Sequence, residues 1–155
     1  MPMLTIPLIL SALSPAGPTG AAGSVLATVL GLDEADEVTL DLTIQGGVGG
    51  TLDLYLQSTM QSGIPTAGSW FDVARFAQLA GGAGKIRTSV TFTRSFGGGA
   101  AAPQVLGDIT ASTSNIGSGV VLPQLLGTAM RLVAVAGAGT TNGAQQLVTG
   151  VAKQI

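Results

Sequence analysis

The sequence predicts an all-β protein, an antiparallel β-sandwich of about eight strands, on two observations. First, apolar and polar residues alternate in several short runs from residue 38 onward, which is the period of a strand with one buried face. Second, glycine-rich or Asn-Gly segments separate these runs, and such segments form turns between strands. A jelly roll and an immunoglobulin-like sandwich both fit, because alternation does not fix strand connectivity.

The clearest alternating runs are EVTLDLTIQ at 37–45 and TLDLYLQ at 51–57. The glycine-rich segment between them, 46–50, predicts a tight hairpin, because glycine accepts the positive φ values of a close reversal. A second hairpin is predicted at Asn142-Gly143, between MRLVAVAG and AQQLVTGVAKQ. Asn-Gly between two alternating runs is a strong hairpin signal. Both patterns therefore predict pairing between consecutive strands.

The remaining strands are predicted from shorter runs. SWFDVARFAQ at 69–78 is apolar on both faces, which indicates a bulge or a strand buried on both sides. KIRTSVTFTRS at 85–95 alternates, and residues 25–30 form a further possible strand. The stretch 96–124 is rich in Gly, Ala, Ser and Thr. It predicts a long loop with one or two short strands, of the kind that serves an assembly contact.

Residues 1–24 are expected to form an extended arm, and residues 25–155 one β-sandwich domain. Prolines and glycines interrupt the apolar start of the chain and no Lys or Arg precedes it, which fits neither a membrane span nor a signal peptide. An apolar arm of this kind can lie along a neighbouring subunit or extend its sheet. The candidate assembly contacts are Met3, Leu4, Ile6, Leu8, Ile9 and Leu10 in the arm, with Tyr55 and Trp70 in the domain.

The composition excludes several classes of function. Charged residues make up 9% of the chain, against about 25% in ordinary soluble domains, which suits a surface covered by neighbours. The net charge of −2, without a run of Lys or Arg, argues against nucleic acid as a partner. The sequence contains no His and no Cys, which removes Ser-His and Cys-His nucleophile pairs and imidazole or thiolate metal sites. We therefore expect neither an enzyme nor a bound cofactor.

Acidic residues leave two weaker possibilities for chemistry. Paired carboxylates on neighbouring strands could support glycoside hydrolysis, although nearby cations could pair with them instead. The acidic run at 33–37 could hold Ca²⁺, but it lacks the glycine and the spacing of a defined calcium loop. Structural ion pairs and a solvated acidic turn are therefore the favoured interpretations. The carboxylates are Asp41, Asp53 and Asp72, and the cations are Arg75, Lys85 and Arg87.

One segment resembles a known class of proteins. LDLYLQST at 52–59, followed through a glycine-containing loop by SWFDVARFAQ at 69–78, resembles small virion proteins of tailed bacteriophages. In these, a strand ending in Gln-Ser/Thr leads to a strand of the form Trp-x-Asp-x-Ala-x-Phe. The segment 130–153 is similar in its alternation of apolar and polar residues, so the resemblance covers about half of the chain. It implies a β-sandwich decoration, or cement, protein on the outer surface of an icosahedral head, with no catalytic residues.

The partners implied by this resemblance are the major capsid protein or other virion subunits, in a homo-oligomer or symmetric array. Neither nucleic acid nor a membrane is an expected partner, and the expected location is the capsid surface after synthesis in the host cytoplasm. A neck, collar or tail component would look similar in sequence. A carbohydrate-binding β-sandwich module and a small carboxylate enzyme are the alternatives from other functional classes.

Overall fold

The protein consists mainly of antiparallel β-strands, as the computed structural model shows. Nine strands lie in two sheets, and two short 3-10 turns are the only helical elements in the part of the chain that is described. Within these same residues no helix is both long and apolar enough to cross a membrane. The all-β prediction is therefore confirmed. The structure describes residues 6–13, 24–45, 50–80, 86–94, 106–111, 114, 116–137 and 145–153.

The first sheet has four strands, and every neighbouring pair in it is antiparallel. In spatial order the strands are β1 (Ile6–Leu13), β9 (Gln145–Lys153), β3 (Glu37–Gln45) and β7 (Ile86–Thr93). Strand β3 therefore lies in the interior of the sheet, between β9 and the edge strand β7.

The second sheet has five strands, also antiparallel. In spatial order the strands are β2 (Ser24–Val29), β8 (Ala129–Ala136), β4 (Thr51–Thr59) and β5 (Trp70–Arg75), with β6 (Leu79–Ala80) beyond the end of β5. The interior strand β4 pairs with β8 on one side and with both β5 and the two-residue β6 on the other.

Side chains from both sheets form one hydrophobic core. The alternating apolar residues predicted to face inward do so in β3, β4 and the end of β7. Burial of that face stabilises the fold by about 25 cal/mol for each Å² of apolar surface removed from water. The largest fully buried side chains come from both sheets: Leu40, Leu42 and Phe92 from the first, and Leu52, Leu54, Leu56, Met130 and Leu132 from the second.

The two predicted hairpins are wrong. Strand β3 pairs with β7 and β9, whereas β4 pairs with strands of the other sheet. Likewise β8 and β9 lie in different sheets. A glycine-rich segment lets the chain reverse, but it does not decide whether the next strand pairs with the first or crosses to face it. Here the chain crosses to the other sheet, and for β3 and β4 this places the apolar face of one strand against that of the other across the shared core. The connecting residues 46–49 and 138–144, which include Asn142 and Gly143, lie outside the described residues.

Part of the expected N-terminal arm lies within the first sheet. Residues 6–13 form β1 and pair antiparallel with β9 over their whole length, Ile6 opposite Ala152 and Leu13 opposite Gln145. The expected contacts of the arm's side chains with a partner stay a prediction. Met3 and Leu4 lie outside the described residues.

The predicted irregularity in β5 is confirmed. Leu56 of β4 lies opposite Ala74, but the next residue, Gln57, lies opposite Asp72, so Val73 is an extra residue in β5. Asp72, Val73 and Ala74 are all fully buried, which agrees with a strand covered on both sides. The bulge brings the Asp72 side chain beside Gln57, on the face of the sheet that points away from the core.

The covering loop, described at residues 106–111, 114 and 116–124, bonds to the edge of β5 and reaches over this outer face, where Ile109 packs against Tyr55. The amide of Asp72 donates to the carbonyl of Gly107 at 2.7 Å, and the amide of Leu122 donates to the carbonyl of Val73 at 2.7 Å. Val121 also forms an isolated antiparallel bridge with Ala74. The prediction that 96–124 is mainly loop with short extended pieces agrees with the described part, residues 106–111, 114 and 116–124.

Candidate functional site

Polar side chains of β4 point away from the core but are nevertheless buried. Asp53, Tyr55 and Gln57 alternate with the core leucines, so the sequence predicts that they face solvent or a partner. Their exposed fractions are 8%, 3% and 0%. The part of the covering loop that follows residue 106 lies over them, since Ile109 packs against Tyr55 in a second, smaller hydrophobic cluster.

Gln57 is the centre of a hydrogen-bonded network under this loop. Its Nε2 donates to Oδ1 of Asp72 at 2.6 Å and to Oδ1 of Asp108 at 2.7 Å. Its Oε1 accepts a bond from Nε of Arg131 at 2.5 Å. Arg131 also donates to the Thr110 hydroxyl at 3.0 Å, and its guanidinium lies 3.6 Å from Asp108 Oδ1. One amide therefore joins strands β4, β5 and β8 to the loop.

Arg131 is held from its other side by an aromatic ring. Its guanidinium carbon lies 4.4 Å from the centre of the Trp70 ring, which is the geometry of a cation–π contact. Burial lowers the pKa of Arg131, and the nearby carboxylates of Asp108 and Asp72 oppose that change. Arginine remains charged in proteins, so the cation is sandwiched between a ring and two carboxylates, with little contact with water.

Asp72 is the most deeply buried carboxylate of the network, with an exposed fraction of 0%. Its Oδ1 accepts bonds from Gln57 and from the amide of Ile109 at 3.3 Å. Its Oδ2 has no partner of full hydrogen-bond geometry, although the Ser114 hydroxyl lies close enough to favour the charged form. Burial raises the pKa of Asp72, and these polar neighbours only partly offset the rise.

A second ion pair continues the network at the other end of β4. Arg75 donates through Nε and a terminal nitrogen to Oδ1 of Asp53, at 3.2 and 2.9 Å. Gln78 donates to the other oxygen of Asp53 at 2.7 Å. The Arg75 guanidinium carbon also lies 5.4 Å from the centre of the Tyr55 ring. The expectation that these strand carboxylates form structural pairs is confirmed for Asp53.

Asp41 also forms the expected ion pair, on the first sheet. Arg87 donates to Oδ2 of Asp41 at 2.7 Å, and both side chains are accessible to solvent. The hydrogen bond from Arg87 lowers the pKa of Asp41. Lys85, the third expected cation, lies outside the described residues.

The two aromatic candidates for assembly contacts are both largely covered. Tyr55 is 3% exposed and Trp70 is 7% exposed, because each ring is packed against an arginine of the network. Their proposed contact with a partner stays a prediction. Trp70 contacts the buried cation Arg131, and Tyr55 contacts the partly buried cation Arg75.

Three central residues of the network were not singled out by sequence reasoning. Gln57 and Arg131 occupy outward positions of alternating strands, and Asp108 lies in a segment without regular pattern. Only the bulge signal in β5 could have indicated that Asp72 lies beside Gln57. Within the described ranges, no cluster of three or more Asp, Glu, His or Cys residues is arranged so that it could hold a metal ion.

A loop between β4 and β5 presents an apolar tip. Ile64 is 86% exposed and Met60 is 49% exposed. The loop is nevertheless fixed, because Oε1 of Gln61 accepts bonds from both the amide and the hydroxyl of Thr66, each at 3.0 Å. The Thr128 hydroxyl donates to the Gln61 carbonyl at 2.6 Å. An ordered apolar tip of this kind can bind a protein surface at a low entropic cost.

Comparison with known proteins identifies no relative. No protein-family model matches the chain, and no curated protein and no solved structure matches it. Function is therefore inferred from strand connectivity, the buried network and the exposed surface.

The buried carboxylate predicts how stability depends on pH. The folded-state pKa of Asp72 lies above its ordinary value of 3.8, so the folded protein binds this proton more tightly than the unfolded chain. Its contribution to the free energy of unfolding should therefore fall as pH rises from 3.8 through the raised pKa. Asp72→Asn should lack this fall when urea unfolding is measured from about pH 3 to pH 7.

Asp41→Asn provides the matched control with the opposite sign. Because Arg87 lowers the pKa of Asp41, its contribution is present above 3.8 and is lost as pH falls through the lowered pKa. As pH falls below 3.8, the free energy of unfolding of Asp41→Asn should therefore decrease less than that of the wild type. The decrease with rising pH that is due to Asp72 should remain in this variant. An Asp72→Asn protein whose unfolding free energy follows pH as the wild type does would contradict the assignment.

Proposed function

We propose that the protein is a structural virion component, a decoration protein that binds the outer surface of a tailed-phage head and stabilises it. The observation that carries the proposal is the connectivity of the strands. Without the two-residue β6, the nine strands reduce to eight. The pairs are then nested: first with last, second with seventh, third with sixth and fourth with fifth.

This nested pairing is that of a jelly roll, in which a long antiparallel hairpin is rolled into two sheets. The two remaining pairs, β9 with β3 and β8 with β4, join it into two four-stranded sheets. We therefore infer a jelly-roll sandwich. Jelly rolls form viral capsid domains and lectin domains, among others, so the connectivity supports a particle protein without excluding a glycan-binding one.

The surface chemistry supports a virion protein over a glycan-binding module. Stacking platforms for sugars use exposed aromatic rings, whereas none of the aromatic residues in the described ranges is exposed. The large apolar residues that are exposed in these ranges are aliphatic instead, and Ile64 is the most accessible of them. With charged residues at 9% of the chain, a broad contact would bury few charges, which lowers its desolvation cost.

Sedimentation tests the proposal. A lysate of the source is separated on a density gradient, with and without detergent, and the fractions are probed for this chain. We expect the protein to migrate with megadalton particles under both conditions. Recovery only near the top of the gradient, as a small species, would contradict an assembly role and direct the next experiment to glycan binding. Migration with separated tails rather than heads would favour the neck, collar or tail alternative.

A further inference from the structure

Among the strands that the structure describes, β7 lies at an edge of the first sheet. Its neighbour β3 bonds to one side of it, and the other side has backbone groups that point outward. Thr93 shows which residues of β7 point their backbone groups outward. Its amide donates to the carbonyl of Pro123, and its carbonyl accepts a bond from the amide of Leu126. Because the pattern has period two, the amides and carbonyls of Arg87, Ser89 and Thr91 also point outward. No backbone bond connects these three to any described residue beyond β3.

This edge differs from the edge at β5 in the other sheet. There the covering loop bonds to the strand at Asp72, Val73 and Arg75. Open edges usually carry charges or irregularities that prevent pairing with other chains. The outward residues of β7 include one charge, Arg87, and its own Asp41 neutralises it at 2.7 Å.

An apolar groove runs beside the same edge. It has a volume of about 250 Å³ and lies where β7 faces the covering loop. Its apolar lining includes Leu42, Phe76, Val90 and Val121. A strand added to β7 in the plane of the sheet would lie over the mouth of this groove, where Val90 and Val121 are still partly exposed. The backbone and the side chains therefore favour the same kind of ligand, an extended strand.

We propose that the occupant of this edge is β7 of a second copy of the chain, paired antiparallel about a two-fold axis at Ser89. In this register Ser89 lies opposite Ser89 and Arg87 lies opposite Thr91. All three residues point their backbone groups outward, so each opposed pair can exchange two hydrogen bonds. Pairing stops at Thr93, whose outward groups already bond to Pro123 and Leu126.

The side chains of β7 are self-complementary in this register. Each Arg87 faces a threonine, so no two like charges are opposed. On the groove side, Thr88 lies opposite Val90, and such β-branched pairs stabilise antiparallel strands. A two-fold interface is formed by the same surface patch of both copies, so that patch must be complementary to itself. Strand β7 meets this condition in the proposed register. The inference does not depend on the protein being a virion component.

Ser89→Pro tests the pairing directly. Proline removes the amide at position 89, which points outward, and leaves the bonds between β3 and β7 in place. In sedimentation equilibrium we expect a concentration-dependent dimer for the wild type and a monomer for the variant, with an unchanged far-UV circular dichroism spectrum. A wild-type protein that is monomeric at every concentration would overturn the proposal, as would a folded Ser89→Pro variant that remains dimeric.

Two charged variants test the two-fold register without relying on proline. Ser89→Arg and Ser89→Glu each place like charges opposite one another, so each should raise the dimer dissociation constant at least about tenfold. An equimolar mixture should recover dimerisation as a heterodimer. Ser62→Arg, at an exposed serine in the loop after β4, should leave the wild-type dissociation constant unchanged. Weak dimers from the single variants without recovery in the mixture would refute the register.

Discussion

Arg131→Met is expected to lower the free energy of unfolding by about 3–5 kcal/mol, because it removes the cation from a buried set of charges. Methionine keeps much of the side-chain volume over the Trp70 ring. It leaves the carboxylates of Asp72 and Asp108 without their cation, however, and leaves Oε1 of Gln57 without its donor. Urea unfolding followed by tryptophan fluorescence measures the change, since Trp70 is the single tryptophan of the chain.

Arg87→Met is the matched control for this prediction. Both arginines lie within 4 Å of a carboxylate, but the Arg87 side chain is 70% exposed and the Arg131 side chain is 10% exposed. Water screens the charges of an exposed ion pair, so such a pair contributes little to stability, and Arg87→Met should have a much smaller effect than Arg131→Met. Equal small losses for the two variants would mean that the buried network does not hold the loop on the sheet.

Ile64→Asp is expected to weaken attachment to the particle at least about tenfold, on the basis of the proposed function. Burial of an isoleucine side chain contributes about 1.5–3 kcal/mol, and the variant adds the cost of desolvating a charge. Ile64 is 86% exposed in the isolated chain, so its replacement should not lower the unfolding temperature. Binding to particles depleted of this protein, measured across a concentration series, gives the dissociation constant.

Ser62→Asp separates the apolar contact from the added charge. Ser62 lies in the same loop and is exposed, so this variant adds an equal charge without removing an apolar side chain. It should bind more tightly than Ile64→Asp. Identical affinities for the two variants and the wild type would place the attachment surface elsewhere, with the N-terminal residues 3–10 as the next candidates.

The sequence predicts the inner faces of the strands well. In β3 and β4, every second residue is apolar, and leucines such as Leu42 and Leu54 are fully buried as expected. Alternation succeeds here because burying one face of a strand is a local requirement on its residues. The same rule fails on the outer face of β4, where Gln57 is polar and yet 0% exposed. The loop that covers it begins about fifty positions later, and no local pattern shows where that loop lies.

The pairing of the strands could not be predicted from the sequence either. The Asn142-Gly143 turn predicts a hairpin, but β8 and β9 lie in separate sheets. The chain reversal is local, whereas the pairing partner is chosen by packing across the core. The polar network could not be predicted for the same reason. In the sequence Gln57 is an ordinary outward residue of a strand, and only the bulge in β5 and the covering loop place Asp72 and Asp108 beside its amide.

Electron cryo-microscopy of purified particles tests the central claim most directly. We expect density for this chain on the outer surface of the head, in a symmetric arrangement, with two antiparallel sheets in the jelly-roll order. The apolar tip at Ile64 should lie against a neighbouring subunit. Heads whose ordered outer density is fully explained by other proteins, in particles free of this chain by mass spectrometry, would contradict the proposed function.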